Sequence, residues 1–477
     1  MTLLAIDQGT TSTRALLAQP DGRLQLLASH AHRQVYPAPG HVEHNPEELI
    51  ANLAACLAAA PQDVTAVGFA NQGESCLAWD GETGRAVSPV IVWQDSRTAP
   101  ETERLKAEGA EALTLARAGL PLDPYFSASK LGWILRHIPE AQDLAARGRL
   151  RLGTTDAFFR DRLTGRYETD ITTASRTSLM TLDTGQWDAD LCALFGVPME
   201  LLPPITPCAG AFGTVQTGAG PRPLTASLVD QQAALYGHGC RAAGDAKITF
   251  GTGAFALAVT GEALCRPASG PVPTIAWQIA GAAPTYALDG GVYAASSAVN
   301  WARDMRLFQT FDAIARFEAP SAIARGLAFV PALAGLACPH WDRAARGAWM
   351  GLSLDTSPAD MMQALLEGVA FRSAEVLESM GNAVPLSAPV SIDGGMSANP
   401  YFCQFLCDAL GREIRLSDEA ELTALGTAAM AAAGASLSLE AAPKGRLLHP
   451  RALPDGAMAR FRAAREAVQA YGHAVTG

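Results

Sequence analysis

The sequence predicts a mixed α/β fold built as two related halves, and three strand–glycine elements predict it. Leu3-Leu4-Ala5-Ile6 reads as an apolar strand that enters Asp7-Gln8-Gly9-Thr10-Thr11-Ser12-Thr13 and returns as Arg14-Ala15-Leu16-Leu17-Ala18. Ala246-Lys247-Ile248-Thr249-Phe250 repeats the pattern through Gly251-Thr252-Gly253 into Ala254-Phe255-Ala256-Leu257-Ala258-Val259. Ala388-Pro389-Val390-Ser391-Ile392-Asp393 is a third strand, broken by Gly394-Gly395-Met396-Ser397-Ala398 before a helix.

The first element sets a Gly/Thr-rich loop between antiparallel strands with Asp7 at its mouth, and Asp21-Gly22 turns the chain into a further strand at 24–27. Such a loop offers several N–H groups and hydroxyls to phosphate, while the aspartate suits Mg²⁺, directly or through water. Taken alone, it reads equally as an ordinary hairpin with polar turn residues. The second element changes that balance, because a strand, a Gly-Thr turn and a returning strand in each half are what a duplicated fold clamping a nucleotide between its halves needs. No Gly-x-x-x-x-Gly-Lys-Ser/Thr and no Gly-x-Gly-x-x-Gly after a strand occurs, so this is neither a Walker A loop nor a dinucleotide fingerprint. In the third element, Asn399 is a suitable N-cap and Pro400 a suitable first residue for a helix over 401–410, closed by Gly411. Its paired glycines let a ligand such as adenosine lie against the backbone; a plain strand-to-helix turn is the other reading.

Composition narrows the function. The chain has 477 residues, enough for two or three domains, and 49% hydrophobic against 17% charged residues marks a globular protein. A net charge of −11 supplies no excess of cations for counterion release, so nucleic acid is not an expected partner. Backbone N–H groups bind phosphate without a basic patch, so anionic ligands stay open. The N-terminus lacks a basic export signal, and the apolar stretch 422–439, rich in Ala and Gly, reads as a buried helix pair rather than a membrane span. Nine scattered cysteines without a Cys-x-x-Cys pair suggest neither disulfides nor zinc, and Cys403 and Cys407 read as small core residues. No membrane association is expected, and the location expected is cytoplasmic.

With these residues assembled, the chain resembles the FGGY carbohydrate kinases, and within them the glycerol kinases. The matching stretches run in order from Asp7 to about Gly434. They include the first loop, Gly40-His41-Val42-Glu43-His44-Asn45-Pro46, Asn71-Gln72-Gly73-Glu74, and Ile91-Val92-Trp93-Gln94-Asp95-Ser96-Arg97-Thr98. Further on come residues 119–130, Ala174-Ser175-Arg176-Thr177 and Asp230-Gln231-Gln232-Ala233-Ala234, with the two family signature regions at 125–137 and 347–367.

The resemblance implies two actin-like ATPase domains, each on a ribonuclease H-like βββαβα core, around an interdomain cleft. It divides the chain into an N-terminal domain at 1–240, a C-terminal nucleotide-binding domain at 241–436 and a tail at 437–477, the last read as solvated and carrying a basic, Pro-rich run at 443–454. It implies ATP-dependent phosphorylation of a hydroxyl on a small polyol or sugar, with ATP and Mg²⁺ required; the alternatives are glycerol itself as the acceptor, or a non-catalytic sugar or nucleotide sensor on the same fold. The sequence leaves a homodimer open.

By the same resemblance, Asp230 is the general base; from its neighbours alone it would read as a helix N-cap. Asp7 organises Mg²⁺, Thr10, Thr11, Ser12 and Thr252 contact phosphates, and Gly395 and Asn399 face the nucleoside. Ser296 and Asn300 stand at two further nucleotide positions, where glycerol kinases more usually have Gly and Gln. The acceptor contacts map onto Glu74, Tyr125, Asp230 and Gln231, with Trp93 and Phe255 as apolar walls. Carboxylates accept from vicinal hydroxyls while aromatic faces cover the C–H side. One position departs: glycerol kinases carry Arg before this Glu, and here the residue is Gly73. Losing a planar five-donor side chain removes hydrogen bonds and is expected to open space, which favours a polyol or ketose of four to six carbons over glycerol.

Overall fold

The computed structural model describes residues 2–387, 389–439 and 444–476. Two sheets organise it. In the first, the strands Thr2–Gln8, Ser12–Ala18 and Leu24–Ala31 form an antiparallel meander, and Val64–Asn71 then Gly220–Val229 add in parallel on the other side of Thr2–Gln8. In the second, Ala246–Phe250, Ala254–Gly261 and Thr285–Val292 form the meander, and Val390–Gly394 then Ile414–Ser417 add in parallel beside Ala246–Phe250. Both sheets therefore run 3-2-1-4-5, and the duplicated α/β fold expected from the two Gly-Thr turns is present. The second sheet carries an extra strand, Val272–Trp277, at one edge. Of the third expected strand, Ala388 lies outside the described residues.

The halves are joined by two crossing helices. Asp230–Gly237 packs against the second sheet, where Ala233 and Leu235 share a core with Leu257, Val259 and Ala287. Leu422–Gly434 returns to the first sheet, where Ala424, Ala428 and Ala432 pack on Leu3, Ala5 and Ala66. The two helices approach so closely that a Cβ on Gly426 would sit 1.8 Å from the Ala233 carbonyl oxygen, and one on Gly237 1.9 Å from that of Leu422. Small residues at this crossing are thus a steric requirement. The apolar stretch 422–439 is one helix rather than the expected pair, because it ends at Gly434 and turns, with Leu437 and Leu439 packed half-buried beside the first sheet.

The segment after 436 is not a solvated tail. Gly445–Leu448 pairs antiparallel with Ile414–Ser417 and extends the second sheet, and Ala457–Thr476 is a helix whose Ala457, Phe461, Ala464 and Val468 are buried in the second core. Residue 443, the start of the basic run, lies outside the described residues. Cys403 and Cys407 are buried free thiols in that same core, as expected, and all nine cysteines are free. No helix among the described residues is long and apolar enough to cross a membrane.

Phe461 is fully buried and stacks on Phe371 at 4.9 Å between ring centroids. Phe461→Ala is expected to destabilise the protein by about 3–5 kcal/mol, read by chemical denaturation; a change near zero would show that the terminal helix is dispensable to the core.

Candidate active site

The first Gly-Thr loop is fixed by a Gly9 N–H donating to the Ser12 carbonyl at 3.0 Å, and by His32 Nε2 lying 2.9 Å from the Thr10 carbonyl. Burial against His44 holds the His32 imidazole below its ordinary pKa, so it supports the loop as a neutral ring. Thr11 is exposed at the loop tip and Ser12 begins the returning strand. Asp7 is buried at the loop's mouth, where Arg14 Nη2 donates to it at 2.6 Å, and Arg14 Nη1 also reaches Glu421 at 2.7 Å. Sequence reading gave Arg14 no role, although its place seven residues after Asp7 in an antiparallel hairpin pairs the two across strands.

The second loop is tied to a helix start. The Thr252 carbonyl accepts from the Ala295 and Ser297 N–H groups at 3.0 and 3.1 Å, at the N-terminus of Ser296–Asp304. Ser296 Oγ is buried without a partner among the described residues, and lies 4.0 Å from where a Cβ on Gly395 would stand. These two expected nucleotide positions therefore converge. Asn300 is exposed on the same helix. Asn399 differs: its Oδ1 accepts from Phe402 N–H at 2.9 Å and its Nδ2 donates to the Ile314 carbonyl at 2.9 Å, so both polar atoms serve the backbone.

Between the loops lies a cavity of about 170 Å³, with Thr10 and Thr252 on its two rims. Trp93, Tyr125 and Phe255 wall it edge to face, with centroids 5.7 Å apart for Trp93–Tyr125 and 6.3 Å for Trp93–Phe255. Trp93 Nε1 donates to Thr10 Oγ1 at 3.1 Å, joining this wall to the first loop. Beyond the wall a second cavity of about 530 Å³ opens, and Trp93, Tyr125, Thr252 and Phe255 line both.

Three carboxylates face the inner cavity. Asp230 opens its helix, and its Oδ1 accepts from Gln231 N–H at 2.6 Å. Burial, aided by the charges of Asp7 and Glu74, pushes its pKa up to about 7 against the pull of Lys247. Glu74 is buried with φ of +59°, a left-handed backbone rare for a residue with a side chain, and its Oε1 accepts from Arg176 Nε at 2.7 Å. Burial raises the Glu74 pKa and Arg176 opposes the rise. The third is Asp289, whose Oδ2 is 2.8 Å from Arg176 Nη2. Gln231 is oriented by Lys247, whose Nζ donates to its Oε1 at 2.6 Å and leaves the amide nitrogen for a ligand.

Gly73 lines this cavity, but the space beside it is not open. A Cβ at position 73 would lie 3.1 Å from Val229 Cγ1, so the apolar side chain of Val229 stands there in place of the expected void. Sequence reading missed Arg176 and Asp289 as site residues. Arg176 stood in a recognised motif without a role. Asp289 carried one usable signal, a lone acid in the otherwise apolar strand Thr285–Val292.

The N-terminal domain model of the FGGY family of carbohydrate kinases matches residues 2–237, and the C-terminal domain model matches residues 246–435. The chain belongs to the FGGY family of carbohydrate kinases. It is 42% identical over 484 residues to a glycerol kinase from Thermus brockianus, covering 98% of both chains, and 42% identical over 444 residues to one from Xanthobacter autotrophicus, covering 90% of this chain and 89% of that one. Its fold superposes on a crystal structure of Plasmodium falciparum glycerol kinase with ADP at a TM-score of 0.89, with 29% identity and 98% coverage of both chains. A xylulose kinase from Rhodospirillum rubrum superposes at 0.84 with 25% identity, covering 99% of this chain and all of that one. As a carbohydrate kinase on the actin-like, ribonuclease H-like fold, this FGGY enzyme phosphorylates a polyol or sugar with ATP.

The raised pKa of Asp230 makes a stability prediction for this kinase. As pH rises from about 4 to about 7 the unfolded chain releases the Asp230 proton while the folded chain holds it, so stability falls across that window. Asp230→Asn is expected to raise Tm, with the gain growing from pH 4 to 7 and level above; a gain that is absent or shrinks with pH contradicts the assignment.

Proposed function

We propose that this kinase transfers the γ-phosphoryl group of ATP to a small neutral polyol or ketose of four to six carbons, with Asp230 as general base. The observation that carries the reading is the cavity between the two Gly-Thr loops, where a carboxylate with a pKa near 7 stands among hydroxyl-binding groups and aromatic walls. A base titrating near neutral pH accepts the acceptor's proton as the hydroxyl attacks phosphorus, and its ionised fraction in the resting enzyme grows as pH rises through about 7. Glu74 accepts from acceptor hydroxyls, Gln231 donates to an acceptor oxygen, and Trp93, Tyr125 and Phe255 cover carbon faces and exclude water. Thr10, Thr11, Ser12 and Thr252 hold phosphates through hydroxyls and loop N–H groups. Ser296 and Gly395 flank the nucleoside, Asn300 lies nearby, and Asn399 acts there by fixing the backbone. The first unit, to about residue 240, supplies most of the acceptor contacts and the first phosphate loop, and the second, 241–436, binds the nucleotide.

Asp7 fits a Mg²⁺ that takes most of its ligands from phosphates and water, since such sites need only one or two protein carboxylates. Bound there, the ion supplies charge neutralisation to the phosphates; Arg14 would hold the Asp7 carboxylate in place. The free cysteines are consistent with a reducing, cytoplasmic setting.

The acceptor size rests on two features beside Gly73 and Trp93. Val229 replaces a hydrogen-bonding arginine with an apolar surface, and the adjoining 530 Å³ cavity gives a longer acceptor room that glycerol does not need. A second reading, glycerol as acceptor, is favoured by the 42% identity to glycerol kinases and by the absence of any void at position 73. An ADP-release assay across glycerol, tetritols, pentitols and ketopentoses separates the two. The higher kcat/KM is expected on a four- to six-carbon acceptor; a maximum on glycerol overturns that choice. On the best acceptor, Asp230→Asn is expected to lower kcat by about 10²–10⁴-fold with ATP affinity kept. In the wild type, kcat/KM is expected to climb with pH through about 7 as the base ionises.

A further inference from the structure

We propose that Asp289 is a specificity-determining acceptor ligand supplied by the second half of the chain, and that with Glu74 and Asp230 it restricts the enzyme to uncharged acceptors. The inference rests on the acceptor site being the inner cavity and extends it to a residue with no assigned role.

Three observations carry it. First, register places Asp289 opposite Leu257, which is opposite Lys247, so the side chains of these three neighbours share one face of the second sheet. That face looks into the cavity, where Leu257 and Asp289 both line the wall. Second, the carboxylate is pinned but not spent. Arg176 Nη2 holds Oδ2 at 2.8 Å, Oδ1 has no hydrogen-bond partner among the described residues, and the side chain keeps 17% of its surface open. Third, the cations nearby are already engaged by protein groups. Arg176 bridges Glu74 and Asp289 through Nε and Nη2, leaving only its buried Nη1 without a partner among the described residues, while Lys247 donates to Gln231, Thr249 and the Phe255 carbonyl.

An acceptor in this cavity therefore meets three carboxylates, with Arg176 as the cation on the wall. A fixed carboxylate oxygen with free lone pairs takes a hydroxyl donor and gains a charge-assisted hydrogen bond. It repels a carboxylate or phosphate on the acceptor, which at this range and burial is a strong penalty. Because Glu74 belongs to the first half and Asp289 to the second, an acceptor that reaches both spans the cleft. An acceptor lacking the distal hydroxyl leaves Asp289 Oδ1 desolvated without a partner, while Oδ2 stays paired with Arg176.

The test uses the full-length enzyme with the best acceptor from the polyol and ketose panel, its deoxy analogues, and gluconate as an anionic probe. Asp289→Ala is expected to raise the acceptor KM by about 10–100-fold while the ATP KM stays within twofold. One deoxy analogue is expected to lose a similar factor with the wild type and to lose nothing further with Asp289→Ala. In Asp289→Asn, which keeps the shape, gluconate is expected to inhibit or turn over at concentrations where the wild type ignores it. An acceptor KM unchanged in both variants, or additive losses for every deoxy analogue, overturns the proposal. If Asp289→Ala does not fold, Asp289→Asn and the wild-type deoxy series decide by the same criteria. Failure of the broader reading looks different, since the wild type would then phosphorylate nothing in the panel.

Discussion

The site depends on one guanidinium. Glu74 and Asp289 come from different halves of the chain, both face one small cavity, and Arg176 donates to Glu74 at 2.7 Å and is ion-paired with Asp289 at 2.8 Å. A planar fork of donors between the two carboxylates ties their side chains together, and it opposes the rise that burial imposes on the Glu74 pKa. Arg176 also lies over the rings of Tyr125 and Phe126, at 5.9 and 5.4 Å, so the aromatic wall and the ion pairs brace each other. Breaking such a buried chain leaves uncompensated charge and costs more than the pair itself contributes. The cleft floor is thereby a single polar network crossing both sheets. Arg14–Glu421 and Arg343–Asp123 add further crossings elsewhere.

Function follows from how this network shares its surroundings with the two loops. In the proposed reading, an enzyme with a net charge of −11 handles a polyanion by local means: N–H groups, hydroxyls and the carboxylate of Asp7 at the turns of paired strands. The acceptor side is acidic, which suits neutral hydroxyl compounds and a base near pH 7. Burial together with the fields of Asp7 and Glu74 raises the proton affinity of Asp230, the proposed base.

Much of this was legible in the sequence where the signal is local. A strand, a Gly-Thr turn and a returning strand name themselves in both halves, and Asn399-Pro400 caps its helix as the residue types require. Legibility failed where meaning arises only from packing. Gly73 suggests a void until Val229, far along the chain, is seen beside it. Asp289 gains its place from strand register and Arg176 from a fold that brings residues 74 and 289 to either side of it. The terminal segment was read as solvated although Ala457, Phe461, Ala464 and Val468 recur at helical spacing, because the strands and helices they pack against lie far away in sequence. Residues 435–439 continue an apolar run, yet the helix stops at Gly434, where a Cβ would meet the Thr225 carbonyl at 2.0 Å.

The measurement that bears most directly on this account is a crystal structure of the enzyme with its best acceptor, Mg²⁺ and a non-hydrolysable ATP analogue. The account predicts the reacting hydroxyl within hydrogen-bond reach of the Asp230 carboxylate and facing the γ-phosphorus, with the remaining hydroxyls held between Glu74 and Asp289. An acceptor whose reacting hydroxyl turns away from Asp230, or that lies outside the cavity between the two Gly-Thr loops, would contradict it.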